Sequence, residues 1–221
     1  MSAIFKDRRH AGQVLAEQLS RFAGRDDVVV LALPRGGVPV GFEVARALNA
    51  PLDVFVVRKL GVPGQEELAF GAIASGGVRV LNEGIIHTLR LTDAMIERIS
   101  ERERQELLRR EHLYRGDRPA PDLTGQTVIV VDDGLATGAT MRAAVDAIKL
   151  LRAGQIVVAV PVGSRDTCSA MRRISDVLCV CAEMPEPFYG VGLWYEDFSQ
   201  TTDEEVTELL ARRANFGTVG A

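Results

Sequence analysis

Residues 128–141, Val-Ile-Val-Val-Asp-Asp-Gly-Leu-Ala-Thr-Gly-Ala-Thr-Met, constrain the fold more than any other stretch. Four consecutive β-branched residues suit a strand covered on both faces, which is the environment of a parallel strand in an α/β sheet. Asp132 and Asp133 then fall at the carboxyl end of that strand, where open α/β sheets bind ligands. The small residues from Gly134 to Thr140 let backbone amides turn inward around an anion, and the helix that follows adds its positive end. Thr137 and Thr140 can donate hydroxyl hydrogen bonds to the same spot. Two carboxylates at the lip of an anion cradle would repel a bare phosphate. They suit a ligand that carries hydroxyls, or a divalent cation, next to its phosphate. A Walker-type loop is excluded, because Gly138 is followed by Ala139 and not by the lysine such a loop needs.

The rest of the chain reads as further α/β units. An amphipathic helix is expected over residues 7–22, with Ala11, Val14, Leu15, Leu19 and Phe22 on its apolar face. A buried strand over 28–33 ends in Pro34-Arg35-Gly36-Gly37, and a helix follows from about Pro39. Adjacent glycines permit close approach of a ligand, and Arg35 suits an anionic group there. A second strand is expected over 53–58, running into a mobile loop, Arg58-Lys59-Leu60-Gly61-Val62-Pro63-Gly64. Residues 66–74 and 78–82, joined by Ser75-Gly76-Gly77, read as a β-hairpin that carries Glu66 and Glu67. A long charged helix over 91–114, capped by Thr92, reads as a surface or dimer-contact helix. After the linker 116–125 come the central strand, a helix to about Leu151, a strand over 155–162, a helix near 166–173 and a strand over 177–181. Five aromatic residues cluster in 185–198, and a capping box at Thr202 and Glu205 opens a last helix.

A chain of 221 residues with 47% hydrophobic content is large enough for one generous domain. We expect a single unit over 1–221, with its core at about 28–182 and a hood at about 183–200 plus the C-terminal helix. The net charge of −4 and pI near 5.5 provide no basic field for nucleic acid. The acids of the long helix balance its bases, so it is no nucleic-acid reader either. No apolar run reaches the ~18 residues of a membrane span, and the first ten residues lack a signal peptide's apolar core. Cys168, Cys179 and Cys181 are an odd count without metal-ligand spacing, which points to reduced thiols and a cytoplasmic setting. No Ser-His-Asp or Cys-His arrangement is visible.

The stretch VIVVDDGLATGATM resembles the binding motif for 5-phosphoribosyl-1-diphosphate (PRPP) of the type I phosphoribosyltransferases. That resemblance implies an α/β fold: an open, mostly parallel sheet flanked by helices, with a β-hairpin flexible loop, an inserted long helix and a small aromatic hood. It implies that Ala136, Thr137, Gly138, Ala139 and Thr140 hold the 5-phosphate and that Asp132 and Asp133 bind the ribose hydroxyls, directly or through water on Mg²⁺. Arg35, Gly36 and Gly37 resemble the family's diphosphate loop, which often contains a non-proline cis peptide. Arg58 and Lys59 resemble the Arg-Lys-x-Gly stretch of adenine phosphoribosyltransferases and are candidate leaving-group stabilisers, while either Glu66 or Glu67 is a weaker catalytic candidate. The aromatic stretch is similar to the hood of hypoxanthine-guanine enzymes, with Phe188 or Tyr189 placed to stack on a base.

The implied activity is Mg²⁺-dependent transfer of 5-phosphoribose from PRPP to a small nitrogenous base, with release of diphosphate. The implied assembly is a homodimer. The chain departs from the purine pattern at Ala136, where many purine enzymes carry an Asp, and at Trp194, where the 6-oxopurine enzymes carry an acid. A 6-oxopurine acceptor is therefore disfavoured. Two other activities share the motif: a non-catalytic PRPP sensor or regulator, and a PRPP-forming diphosphokinase, whose chains are longer and carry two related domains.

Overall fold

A computed structural model describes residues 3–216, apart from the side chains of Glu67, Asn215 and Phe216. The candidate Glu67 side chain therefore lies outside the described residues. Five parallel strands form the main sheet: β1 (Val28–Ala32), β2 (Leu52–Val54), β6 (Thr127–Val131), β7 (Gln155–Val162) and β8 (Val177–Glu183). Their spatial order is β2-β1-β6-β7-β8. The chain builds outward from β1 to β2, then returns to lay β6, β7 and β8 on the other side. The order reverses between β1 and β6, and a ligand crevice is expected at that point.

Val128, Ile129, Val130 and Val131 are all fully buried. Burying each such side chain contributes roughly 1.5–3 kcal/mol, so β6 anchors the sheet between two apolar layers. One layer includes α1 (Arg8–Gln18), α2 (Gly37–Leu48) and α7 (Asp203–Phe216). The other includes α5 (Ala139–Leu150) and α6 (Arg165–Arg172). All three cysteines are free and buried in this second layer.

A second sheet is antiparallel, in the order β3 (Val57–Val62), β4 (Gln65–Ala74) and β5 (Val78–Leu81). It packs between α5 and the long helix α4 (Asp93–Arg115), whose cap Thr92 accepts from the Met95 amide. The hairpin is as expected. The single strand expected over 53–58 is instead two strands in two sheets, and the loop expected over 58–64 is largely β3. The reason lies at the join: Ser75 Oγ accepts the Val56 amide at 2.9 Å and the Ser75 amide donates to the Val56 carbonyl, also at 2.9 Å. One continuous apolar run thus serves both sheets. A short helix α3 (Glu83–Leu89), capped by Asn82, was not apparent in the periodicity. Helix α2 starts at Gly37, two residues before the expected Pro39.

The segment before α1 meets the aromatic stretch beside the main sheet. Phe5 bridges to Tyr195, and the amides of Glu196 and Asp197 donate to the carbonyls of Phe5 and Lys6, both at 2.8 Å. This strap carries the aromatic stretch over the carboxyl end of β6.

Candidate active site

The carboxyl ends of β1 and β6 deliver their loops to one place. Gly36 and Gly37 lie directly against the acid pair. A Cβ on Gly36 would fall 2.7 Å from Asp133 Cγ, and one on Gly37 would fall 2.7 Å from the Val131 carbonyl oxygen. Only glycine fits between these two loops. The Pro34–Arg35 peptide is cis, the feature that the resemblance associates with this loop.

Helix α5 begins at Gly138, which adopts φ of 74°, and no side chain caps it. Its first amides are consequently left for a ligand. Thr137, Ala139 and Thr140 are exposed, Ala136 is exposed, and Gly138 is buried beneath them. The loop is braced from behind. The Leu135 amide donates to the Val162 carbonyl, and the Ser164 amide donates to the Leu135 carbonyl. The Thr167 hydroxyl donates to the Ala136 carbonyl at 2.6 Å. Gly163 touches this brace closely: a Cβ there would meet Cys168 Sγ at 2.7 Å, Cys181 Sγ at 3.1 Å and Leu135 Cβ at 3.1 Å.

The two acids have different surroundings. Burial pushes the Asp132 carboxyl well above the usual carboxylate range, and the neighbouring Asp133 pushes it further. Its Oδ1 accepts the Asp133 amide at 2.9 Å. Burial also raises Asp133, but the Arg8 guanidinium opposes that shift. Arg8 Nε donates to Asp133 Oδ2 at 2.8 Å, with side-chain exposures of 11% and 18%. Arg8 also donates to the Ser199 carbonyl at 2.6 Å and stacks 3.9 Å from the Phe198 ring centroid. The Tyr195 hydroxyl donates to the Asp133 carbonyl at 2.5 Å. Sequence reasoning missed Arg8 and Tyr195, because both reach the acid pair through tertiary packing.

The candidate cations separate. Arg35 stands 3.8 Å from Asp203 at the start of α7, and Tyr114 donates to the same Asp203 oxygen at 2.6 Å. Arg58 pairs with Glu103 of α4 at 2.6 Å. Strand alternation puts its neighbour Lys59 on the opposite face, where it lines a groove with Ala139 and Arg142 of α5. Lys59, and not Arg58, shares a groove with the start of the phosphate-loop helix. Glu66 is exposed within β4.

The aromatic stretch divides as well. Trp194 and Tyr195 are buried with Phe5, and Phe188 stacks on Trp194 with ring centroids 6.4 Å apart. Tyr189 is 70% exposed. Val191 presses on Gly134, so this segment overlies the acid loop. No group of three or more His, Cys, Asp or Glu side chains able to hold a metal occurs among the described residues. A preformed protein cage is thus absent there, but two adjacent carboxylates match Mg²⁺, which binds through one or two carboxylates and substrate phosphate oxygens. No helix among the described residues is long and apolar enough to cross a membrane.

The chain is 46% identical over 219 residues to a Mycobacterium tuberculosis H37Rv protein named "Putative phosphoribosyl transferase Rv0571c". The match covers 99% of this chain and 49% of the relative, so the chain spans about half the length of that protein. The crystal structure of TT1426 from Thermus thermophilus is 43% identical, covers 94% of this chain and 98% of its own, and superposes with a TM-score of 0.80. A Neisseria gonorrhoeae protein solved with bound ppGpp shares the fold alone, at 13% identity, 96% and 98% coverage and a TM-score of 0.51. Residues 5–193 match the phosphoribosyl transferase domain, and the chain belongs to that family.

Proposed function

We propose that this chain transfers 5-phosphoribose from PRPP to a nitrogenous base and releases diphosphate. One observation carries the reading: the glycine loop after β1 and the acid-glycine loop after β6 interlock at the switch point, beside an uncapped helix start. The amides of residues 136–140 and the hydroxyls of Thr137 and Thr140 hold the 5-phosphate. Asp132 and Asp133 accept the ribose 2- and 3-hydroxyls. Arg35, Gly36 and Gly37 hold the diphosphate, and Lys59 adds positive charge from its side of the groove. The C1–O bond to diphosphate breaks with its electron pair leaving on the diphosphate, and a base nitrogen supplies the pair for the new C1–N bond. Positive charge builds on the sugar at this point, and the two carboxylates stabilise it by fixed position. Mg²⁺, when bound with PRPP at the acid pair, would neutralise charge on the departing diphosphate.

Tyr189, exposed in the aromatic segment, is the candidate to stack on the base, whereas Phe188 is already engaged with Trp194. Ala136 and Trp194 disfavour a 6-oxopurine. A homodimer is the expected assembly, and light scattering of the purified chain checks it.

A specific observation favours a second reading, a PRPP sensor without turnover. Two of the cations suited to the leaving group, Arg35 and Arg58, contact protein carboxylates. The two readings part in a diphosphate-release assay run over a panel of nitrogenous bases with and without Mg²⁺. Transfer predicts release that depends on the base and on Mg²⁺. PRPP binding with no release for any base supports the sensor.

A further inference from the structure

The N-terminal helix contributes a side chain to the heart of the site, from 125 residues away in sequence. Arg8 is the first residue of α1, directly after the Asp7 cap and the strap that pairs residues 4–6 with the aromatic segment. Its guanidinium is held on three sides. Nε binds Asp133, Nη1 binds the Ser199 carbonyl, and the plane lies on Phe198. Little freedom remains in a fork fixed in this way. Its grip decides where Asp133 points: Oδ2 is drawn under Gly36, close enough that a Cβ on Gly36 would fall 3.2 Å from Arg8 Nε. The Tyr195 hydroxyl fixes the backbone of the same residue from the aromatic segment. The second acid is therefore located by groups from the start of α1 and from the aromatic segment.

We propose that Arg8 is a positioning residue for PRPP: it sets the Asp133 carboxylate against the diphosphate loop and couples the aromatic segment to the acid pair. This inference rests on the phosphoribosyl-transfer reading. Arg8 does not touch the sugar. It supplies fixed positive charge where two carboxylates adjoin.

Titration calorimetry with PRPP and Mg²⁺ on the whole chain tests it, using wild type, Arg8→Gln, Arg8→Lys, Asp133→Asn and the double variant Arg8→Gln/Asp133→Asn. Arg8→Gln should weaken PRPP binding about tenfold or more, the scale of a lost hydrogen bond between charged groups. Arg8→Lys keeps the charge but loses the fork, and should recover part of the affinity. In the Asp133→Asn background, Arg8→Gln should change affinity by less than about twofold, since additive behaviour marks independent sites. Circular dichroism checks that each variant is folded, and Arg8→Lys decides the matter if Arg8→Gln is not. Wild-type affinity in Arg8→Gln, or an equal loss with and without Asp133, overturns the inference while leaving the transfer reading intact. Absence of PRPP binding to the wild type overturns both.

Discussion

The α-helices of this protein start in two ways. Among the described residues, five begin with a side chain that accepts an amide of the first turn: Asp7 from His10, Asn82 from Ile85, Thr92 from Met95, Ser164 from Thr167 and Thr202 from Glu205. Helices α2 and α5 begin at Gly36 and Gly138 with no side-chain cap. A side-chain cap is worth about 1 kcal/mol over Ala but only a few tenths over Gly, so the two glycine starts forgo little stability. Both uncapped starts lie at the carboxyl ends of β1 and β6, beside Asp132 and Asp133. The two differ in turn: at α2 the Gly37 and Val38 amides donate to the Leu33 and Arg35 carbonyls and Pro39 has no amide, so among the described residues α5 is the start whose first amides stay available for a phosphate.

The largest effect that bears on this contrast should come from the acid pair. Asp132→Asn should lower diphosphate release about 10²- to 10³-fold, the cost of losing one positioned electrostatic group, with the circular dichroism spectrum retained; unchanged turnover would break the assignment. Next comes Gly36→Ala, which forces the Asp133 carboxylate aside. PRPP affinity should drop at least tenfold, roughly 1.4 kcal/mol, and a soaked crystal should show the acid displaced. Thr140→Ala should weaken binding of ribose 5-phosphate severalfold, on the order of 1 kcal/mol for one hydrogen bond, without changing thermal stability. Thr92→Ala, at the capped start of α4, should do the reverse: a loss of about 1 kcal/mol in denaturant titration and the same ligand affinity. If Thr92→Ala weakened binding or Thr140→Ala destabilised the fold, the division between the two kinds of helix start would collapse.

The smallest effect is in the pH dependence of the ligand-free protein. Asp132 holds its proton more tightly folded than unfolded, because burial and Asp133 raise its pKa. Stability from that proton is present below the ordinary carboxylate value near 3.9 and is lost as pH rises through the raised one. The melting temperature should therefore fall over that range in wild type and should be flatter in Asp132→Asn. An identical slope would mean that Asp132 is ionised throughout.

Much of this was legible in the chain itself. The β-branched run, the adjacent acids and the small-residue turn specify a buried parallel strand with a ligand loop at its end, and the strand order then puts Pro34-Arg35-Gly36-Gly37 beside it. Residues 52–62 were not legible, because one apolar run feeds two sheets and only the pairing of Val56 with Ser75 reveals the break. Arg58 and Lys59 looked alike as cations; strand alternation, which a loop would not impose, sends them to opposite helices. Arg8 was hidden for another reason. It sits among Lys6, Arg9 and His10, and nothing local marks which of these turns inward. The Asp7 cap could have located the helix start, but only the tertiary contact with Phe198 and Asp133 selects the residue.

Gly163 has a consequence beyond its own position. It separates two sulfur atoms from Leu135 with no space to spare, and Leu135 is held to the residues on both sides of Gly163. The rear wall of the anion cradle is therefore incompressible. A single methyl group introduced there would find no slack to absorb it, and its displacement would emerge on the front side as misaimed amides. The mouth of this site is tuned from its back.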